Sequence, residues 1–300
     1  MQNYIEQKDH YKVFNIKFRN LTDLHDYLLS DPPVNTAVFK RQASVKNDFD
    51  FSGEPLEKAI GYCIGGYTKD FDNFLKANTQ LRETTKSAFF NNHRLVKSMY
   101  GGAPQPALVA SGAPECMLRY EREAKSTVRN IYFNLAYPAF TSTSRIINRG
   151  LATLYIVQAL EARGEMVNFK AFELSKNDDE IVNIEINLKK PGDHFLNIEK
   201  CYYPIRAKEF LRRVLFRVLE SSDVEDYYWG DGYGTALDLD EMKGFLKTGP
   251  KDLLISYPSE MGIEGNDIYD DTITLIERLN LQQEFDIPKI KSLRDKNQRR

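Results

Sequence analysis

Apolar and polar positions along the chain follow two regimes that meet near residue 120. In the second, the pattern is regular. Val128–Tyr137 (VRNIYFNLAY) is a continuous apolar-rich run, as a strand buried on both faces requires. PAFTSTS (138–144) predicts a turn, with Ser144 placed to cap the helix that follows. That helix, RIINRGLATLYIVQALEARG, is apolar around much of its circumference and stops at Gly164. VNFKAFEL (167–174) and IVNIEINL (181–188) flank the polar turn SKNDDE and predict an antiparallel hairpin. Ile205–Glu220 reads as an amphipathic helix with Ala207, Phe210, Leu211, Val214, Leu215 and Val218 on one face. DLDEMKGFLK predicts another helix, DLLISYP (252–258) a core strand, and IYDDTITLIERLNL (268–281) a last helix before a basic, frayed tail.

The first regime is less regular. KVFNIKF (12–18) alternates and predicts an edge strand, and LTDLHDYLLS (21–30) a short helix. Asp31-Pro32-Pro33 ends that helix, because proline lacks an N–H and disfavours helix in the residue before it. Residues 41–53 read as loop. Helices are expected from Pro55 to Tyr62, broken at Gly65-Gly66, and from Lys69 to Glu83 with Phe71, Phe74, Leu75 and Leu81 near one face. GGAPQPALVASGAPE (101–115) reads as a connector around one short strand, ALVA.

Strand–helix–strand alternation after the connector implies an α/β fold. We therefore expect a three-layer, Rossmann-like C-terminal domain (121–288) with a mostly parallel sheet. A mainly helical α+β region (1–120) precedes it and a basic tail (289–300) follows. The net charge of −2 gives a whole-chain field that favours neither nucleic acid nor an anionic membrane. Three scattered cysteines, Cys63, Cys116 and Cys201, argue against a disulfide framework or a zinc ribbon. The beginning of the chain lacks the apolar core of a signal peptide, and no run approaches a membrane span. These features predict a cytoplasmic protein without membrane contact.

The order of long buried helix, hairpin, two helices and short core strand resembles a von Willebrand A (vWA) domain. Phe140-Thr-Ser142-Thr-Ser144 stands where that family carries Asp-x-Ser-x-Ser, Gly234-Thr235 where it places a second-loop threonine, and DLLISYPSEMG where a strand ends in Asp-Gly. The resemblance implies a Mg²⁺ site, which needs carboxylate and hydroxyl oxygens in near-octahedral array. Phe140 replaces the first Asp, so Ser142, Ser144, Thr235 and Glu260 are what remains of that site, and no bound metal or cofactor is expected. RGLATLYIVQALEARG, with Arg149, Gly150, Leu160, Glu161 and Gly164, and the preceding MYGGAPQPALVASGAPECM also resemble a set of uncharacterised tailed-phage proteins. That resemblance implies the host cytoplasm and carries no activity.

No P-loop or dinucleotide loop is present; GYCIGG (61–66) lacks the spacing. Asp223, Glu225, Asp226 and Asp231 form an acidic loop that either gathers a cation or is simply solvated. Tyr227, Tyr228, Trp229 and Tyr233, with Asp231, either anchor a protein partner or bury their own rings. His194 beside Asp193 lacks a nucleophile and reads as a turn histidine, and Cys63 as inert packing. Arg206, Arg212, Arg213 and Arg217, with Lys189 and Lys190, form either a phosphate-tracking face or a solvated one. The expected function is a non-enzymatic, phage-type adaptor that holds a protein partner on the top edge of its sheet. The alternative is a DNA- or RNA-associated phage protein using the basic helix, aromatic loop and basic tail.

Overall fold

The computed structural model describes residues 1–8, 11–36, 42–46, 48–84, 93–122, 128–177, 180–193, 196–222 and 233–298. The first half runs β1 (Gln2–Lys8), β2 (Tyr11–Phe18), α1 (Leu21–Leu29), α2 (Phe49–Ser52), α3 (Leu56–Gly65), α4 (Phe71–Arg82), β3 (His93–Ser98), β4 (Ala103–Pro104), α5 (Pro106–Ala110) and β5 (Met117–Arg122). The second continues with β6 (Val128–Asn134), α6 (Thr143–Ala162), β7 (Met166–Asn177), β8 (Glu180–Lys189) and α7 (Ile198–Arg206). A π-helical segment (Phe210–Leu215) passes directly into α8 (Phe216–Glu220). Last come β9 (Thr235–Ala236), α9 (Leu239–Leu246), β10 (Leu253–Ile255), α10 (Ile268–Arg278) and α11 (Ile287–Gln298).

The main sheet has the order β1-β2-β8-β7-β6-β10, with β9 added to the end of β7. β6, β7 and β10 are mutually parallel, β7 and β8 form the expected antiparallel hairpin, and β2 runs parallel to β8. The result is an α/β fold with a mixed sheet of mostly parallel strands. β6 is where the chain reverses its order across the sheet: β7, the next strand, lies on one side and β10 on the other. One sheet face carries most of the helices and a large core that includes Phe133, Phe169, Tyr155, Leu160, Phe210 and Ile276. The opposite face is covered by α9 over Val13, Phe172, Leu174, Ile181 and Leu254.

The elements from β1 to α4 are not a separate body, whereas, among the described residues, β3, β5 and β4 pair only with one another in a three-stranded sheet. β1 and β2 are strands of the main sheet, and Leu24, Ala59, Cys63, Phe74 and Leu81 share one core with Ile131 and Leu160. The boundary expected near residue 120 therefore does not divide two hydrophobic cores. Consistently, β2 is not at the edge: β1 takes that place, with an outward-facing, exposed side. Tyr11–Phe18 is an interior strand because four consecutive residues, Val13 to Ile16, are buried.

Three other expectations change in detail. ALVA (107–110) is helical rather than extended, since Pro106 at the first helical position pre-sets the backbone for a helix. The run 205–220 is not one helix: α7 begins earlier, at Ile198, and Ala207 is extended before the π-helical segment starts. The tail is not frayed through residue 298, because α11 seats Ile290 fully in the core.

Arg149 and Gly150 on α6 have separate structural jobs. The Arg149 guanidinium is buried and donates from Nη1 to the carbonyls of Asn134 (3.0 Å) and Ser256 (2.7 Å), which tie together the carboxyl ends of β6 and β10. It also lies over the Phe133 ring, 4.3 Å from the centroid. Gly150 lets α7 come close: a Cβ there would sit 2.4 Å from the Ile205 carbonyl oxygen.

Candidate functional site

Open α/β sheets bind their ligands beyond the carboxyl ends of the strands, near the point where strand order reverses. Here that region holds a cavity of about 360 Å³. Its floor is the end of β6 and the adjoining part of β7, with Ala136, Tyr137, Glu173 and Ser175. Leu211 and Arg212 of the π-helical segment and Phe216 of α8 form one wall, and Phe51 and Ala43 another. Tyr233, Gly234 and Ala236 close the side toward β9.

Strand alternation explains why polar groups face this cavity. In β7, Phe169, Ala171, Glu173 and Ser175 point to the same sheet face, and the first two fill the main core. β6 pairs with β7 only as far as Phe172, so the next residues on that face look past the end of β6. Glu173 is thus buried, at 1% exposure. Its Oε2 has no hydrogen-bond partner among the described residues; neither does Ser175 Oγ nor the Tyr137 hydroxyl. Burial pushes the Glu173 carboxyl up to about 8, with the Ser175 hydroxyl opposing that only in part. Burial likewise pushes Tyr137 up to about 12, against the pull of Arg212 and Arg149. Buried polar atoms are nearly always paired, so three unpaired ones on residues lining one cavity make it the candidate site.

The remaining polar groups of the wall are committed to the protein. Arg212 donates to the carbonyls of Phe51 (2.6 Å) and Ala139 (2.7 Å) and lies 3.9 Å over the Phe51 ring. Tyr233 stacks flat on Phe216, with centroids 3.8 Å apart, accepts from the Ala43 N–H at 2.8 Å and donates to Glu220. Glu220 is fully buried and also accepts from the N–H and hydroxyl of Ser44. Burial, and then Glu220, raise the Tyr233 phenol well above its ordinary range. Tyr233 is therefore a fixed wall rather than an exposed anchor. Tyr227, Tyr228, Trp229 and Asp231, and the acidic Asp223, Glu225 and Asp226, lie outside the described residues.

The basic helix is neither solvated nor open to phosphate. Arg206 is buried and bound to the Lys69 carbonyl and to Asp70 (2.8 Å), and Arg213 to the carbonyls of Glu54, Ser44 and Lys46. Arg217 reaches Asp31 and the Pro32 carbonyl. With Arg212 they pin the segments 31–32, 44–54 and 69–70 to the main core, since five N–H donors in a rigid fork suit carbonyl-rich loops. Lys189 is buried against Glu161 (3.1 Å), whose other oxygen accepts from the Leu196 N–H. Of this set Lys190 alone is exposed.

The degenerate metal set does not fit Mg²⁺. Ser142, rather than Ser144, caps α6 through Arg145 N–H, and the two hydroxyls lie 3.3 Å apart. Phe140, in the first carboxylate's place, is a fully exposed ring. Thr235 sits on β9 opposite Lys176, and Glu260 lies beside Tyr257, whose phenol it helps to raise after burial. Among the described residues no cluster of three His, Cys, Asp or Glu side chains is arranged for a metal ion. Cys63 is buried in α3, its thiol pushed up to about 12 by burial, which makes it packing rather than nucleophile. His194 lies outside the described residues, while Asp193 closes a turn onto Lys190 N–H. No helix among the described residues is long and apolar enough to cross a membrane.

Sequence reasoning passed over Glu173 and Ser175. Glu173 stood in the expected strand on the same face as Phe169 and Ala171, whereas Ser175 was read into the turn SKNDDE, and β7 in fact runs on to Asn177.

No curated protein and no solved structure matches the chain. A family model does, over residues 3–283, and so takes in β1 and β2 together with the sheet that follows. The chain belongs to that family, described as Domain of unknown function (DUF7192).

Proposed function

We propose that the chain is a non-catalytic adaptor that holds a protein partner at the carboxyl edge of its sheet, through the cavity around Glu173. The observation that carries this reading is the set of unpaired buried polar atoms, Glu173 Oε2, Ser175 Oγ and Tyr137 Oη, lining one aromatic-walled cavity. Concave, mostly apolar sites with a few convergent polar groups and a perturbed carboxyl are the usual form of a binding site. A degenerate vWA-like framework agrees with the strand order β8-β7-β6-β10, in which the long helix α6 joins β6 to β7 and the hairpin follows. The phage-type origin rests on the sequence resemblance around Arg149 and Gly150, positions that join strand ends and admit α7. The nucleic-acid alternative loses support, since the arginines it needs are consumed internally.

Affinity capture at two salt concentrations, with and without nuclease, tests the reading. A protein partner is expected to survive high salt and nuclease with the wild-type chain and to be lost with Ala139→Trp, which crowds the exposed rim of the cavity. Partners that disappear on nuclease treatment, or with the steep salt dependence of phosphate contacts, would favour the nucleic-acid reading instead.

A further inference from the structure

We infer that the Glu173 cavity is a receptor for a primary ammonium group, which in the adaptor reading above is a lysine side chain of the partner. Glu173 is buried, its Oε2 has no partner among the described residues, and it lines a cavity open to one side. An unpaired carboxyl in such surroundings is costly to keep, and a ligand that brings N–H donors and a positive charge removes that cost. An ammonium brings three hydrogen-bond donors, and Glu173 Oε2, Ser175 Oγ and Tyr137 Oη, on residues that line the cavity, have no partner among the described residues. The walls supply the rest of the recognition. Phe51, Tyr137, Phe216 and Tyr233 line the cavity, and their ring carbons cover the methylenes behind the ammonium.

The charged and titratable groups that face the cavity are few. Arg212 comes from the π-helical segment, Tyr137 from the exit of β6 and Tyr233 from the approach to β9; α2 contributes only Phe51. Behind them lie Arg149, Glu209 and Glu220. Arg212 is bound to two carbonyls and sandwiched by the Phe51 and Tyr137 rings. No cation contributes to the shift of Glu173, which burial raises and the Ser175 hydroxyl opposes in part. Glu173 is therefore not neutralised by a basic side chain, and Arg212, which lines the same cavity, has its guanidinium committed to the Phe51 and Ala139 carbonyls. The size is also suitable: about 360 Å³ takes a butylammonium-sized group and excludes a folded element.

The ammonium binds the carboxylate form, while the empty cavity holds Glu173 mostly protonated below about pH 8. Each binding event below that pH releases a proton. Affinity should rise by about ten-fold per pH unit from 6 to 8, level off, and fall as the amine itself loses its charge near ~10.4.

The test is calorimetric titration of the full chain with Nα-acetyl-lysine amide and its neutral isostere Nα-acetyl-norleucine amide, from pH 6 to 9. The lysine probe should bind at least ten-fold more tightly than the norleucine probe, with the stated pH dependence. Glu173→Gln, which keeps the shape and removes the charge, should erase both differences; Ser175→Ala should weaken the lysine probe while leaving the melting temperature nearly unchanged. Equal binding of the two probes, no binding of either, or a folded Glu173→Gln variant that binds lysine as wild type does would each overturn the assignment. Affinity capture separates the two claims. A partner retained by Glu173→Gln sinks the lysine assignment and leaves the adaptor reading standing. Probe binding with no protein partner sinks the adaptor reading and assigns the site to a small amine.

Discussion

Glu173 carries a definite consequence for stability. Its folded-state pKa of about 8 lies above the ordinary carboxylate value, so between about pH 4.5 and 8 the folded chain holds a proton that the unfolded chain has released. Stability from this group is fully present below that window and is lost as pH rises through it. Glu173→Gln is therefore expected to match wild type near pH 5 and to melt a few degrees higher at pH 9, as a kcal/mol or two would produce in a chain of this size. Thermal melts at the two pH values check it, and a variant less stable at both would show Glu173 to be a satisfied structural group. Arg149 predicts the opposite sign. Arg149→Met leaves the Asn134 and Ser256 carbonyls without their donor and should cost about 2 kcal/mol or more in denaturant unfolding. Gly150→Ala, which drives a methyl onto the Ile205 carbonyl, should cost about 1–3 kcal/mol, whereas the adjacent Leu151, half-buried, should tolerate Met with little loss.

Elements whose pattern is set by burial were readable in the sequence. β6, α6, the β7–β8 hairpin, α9 and α10 follow from apolar runs, caps and the glycine at 164, which adopts φ +91° at the helix end. What escaped were elements whose sense depends on a distant partner. β1 is polar and outward-facing, and is a strand only because β2 offers it an edge. The arginines of the π-helical segment look like a surface pattern when counted along one helix. They are buried because carbonyls from residues 44–54, more than 150 positions earlier, surround them. The candidate site was invisible for the same reason: Glu173, Tyr137, Arg212 and Phe51 come from four separate stretches of chain. If the arginines are staples, Arg213→Ala should speed amide exchange through residues 42–54 and leave β6 and α6 protected. Uniform exchange across the chain, or a loss of nucleic-acid affinity with no change in exchange, would contradict that role.

At the scale of the whole molecule, the main sheet takes strands from both sides of residue 120, β1 and β2 before it and β6 to β10 after it. A fragment of residues 121–300 would lack β1, β2 and the helices that cover Ile184 and Ile186. It should be expanded, bind apolar dyes and lose the single cooperative transition of the full chain, as calorimetry would show; a sharp, cooperative melt of the fragment would restore the two-domain reading. The intact fold carries its cavity at the carboxyl edge, where β6 ends and β7 continues, with four alanines, Ala43, Ala136, Ala139 and Ala236, around the unpaired carboxyl. The most direct test of the account is therefore to follow the alanine methyl resonances of the intact chain while Nα-acetyl-lysine amide is added. Shifts concentrated on those four methyls, and absent in Glu173→Gln, are the result this account predicts. Shifts scattered over other alanines such as Ala59 and Ala159, or no shifts at all, would contradict it.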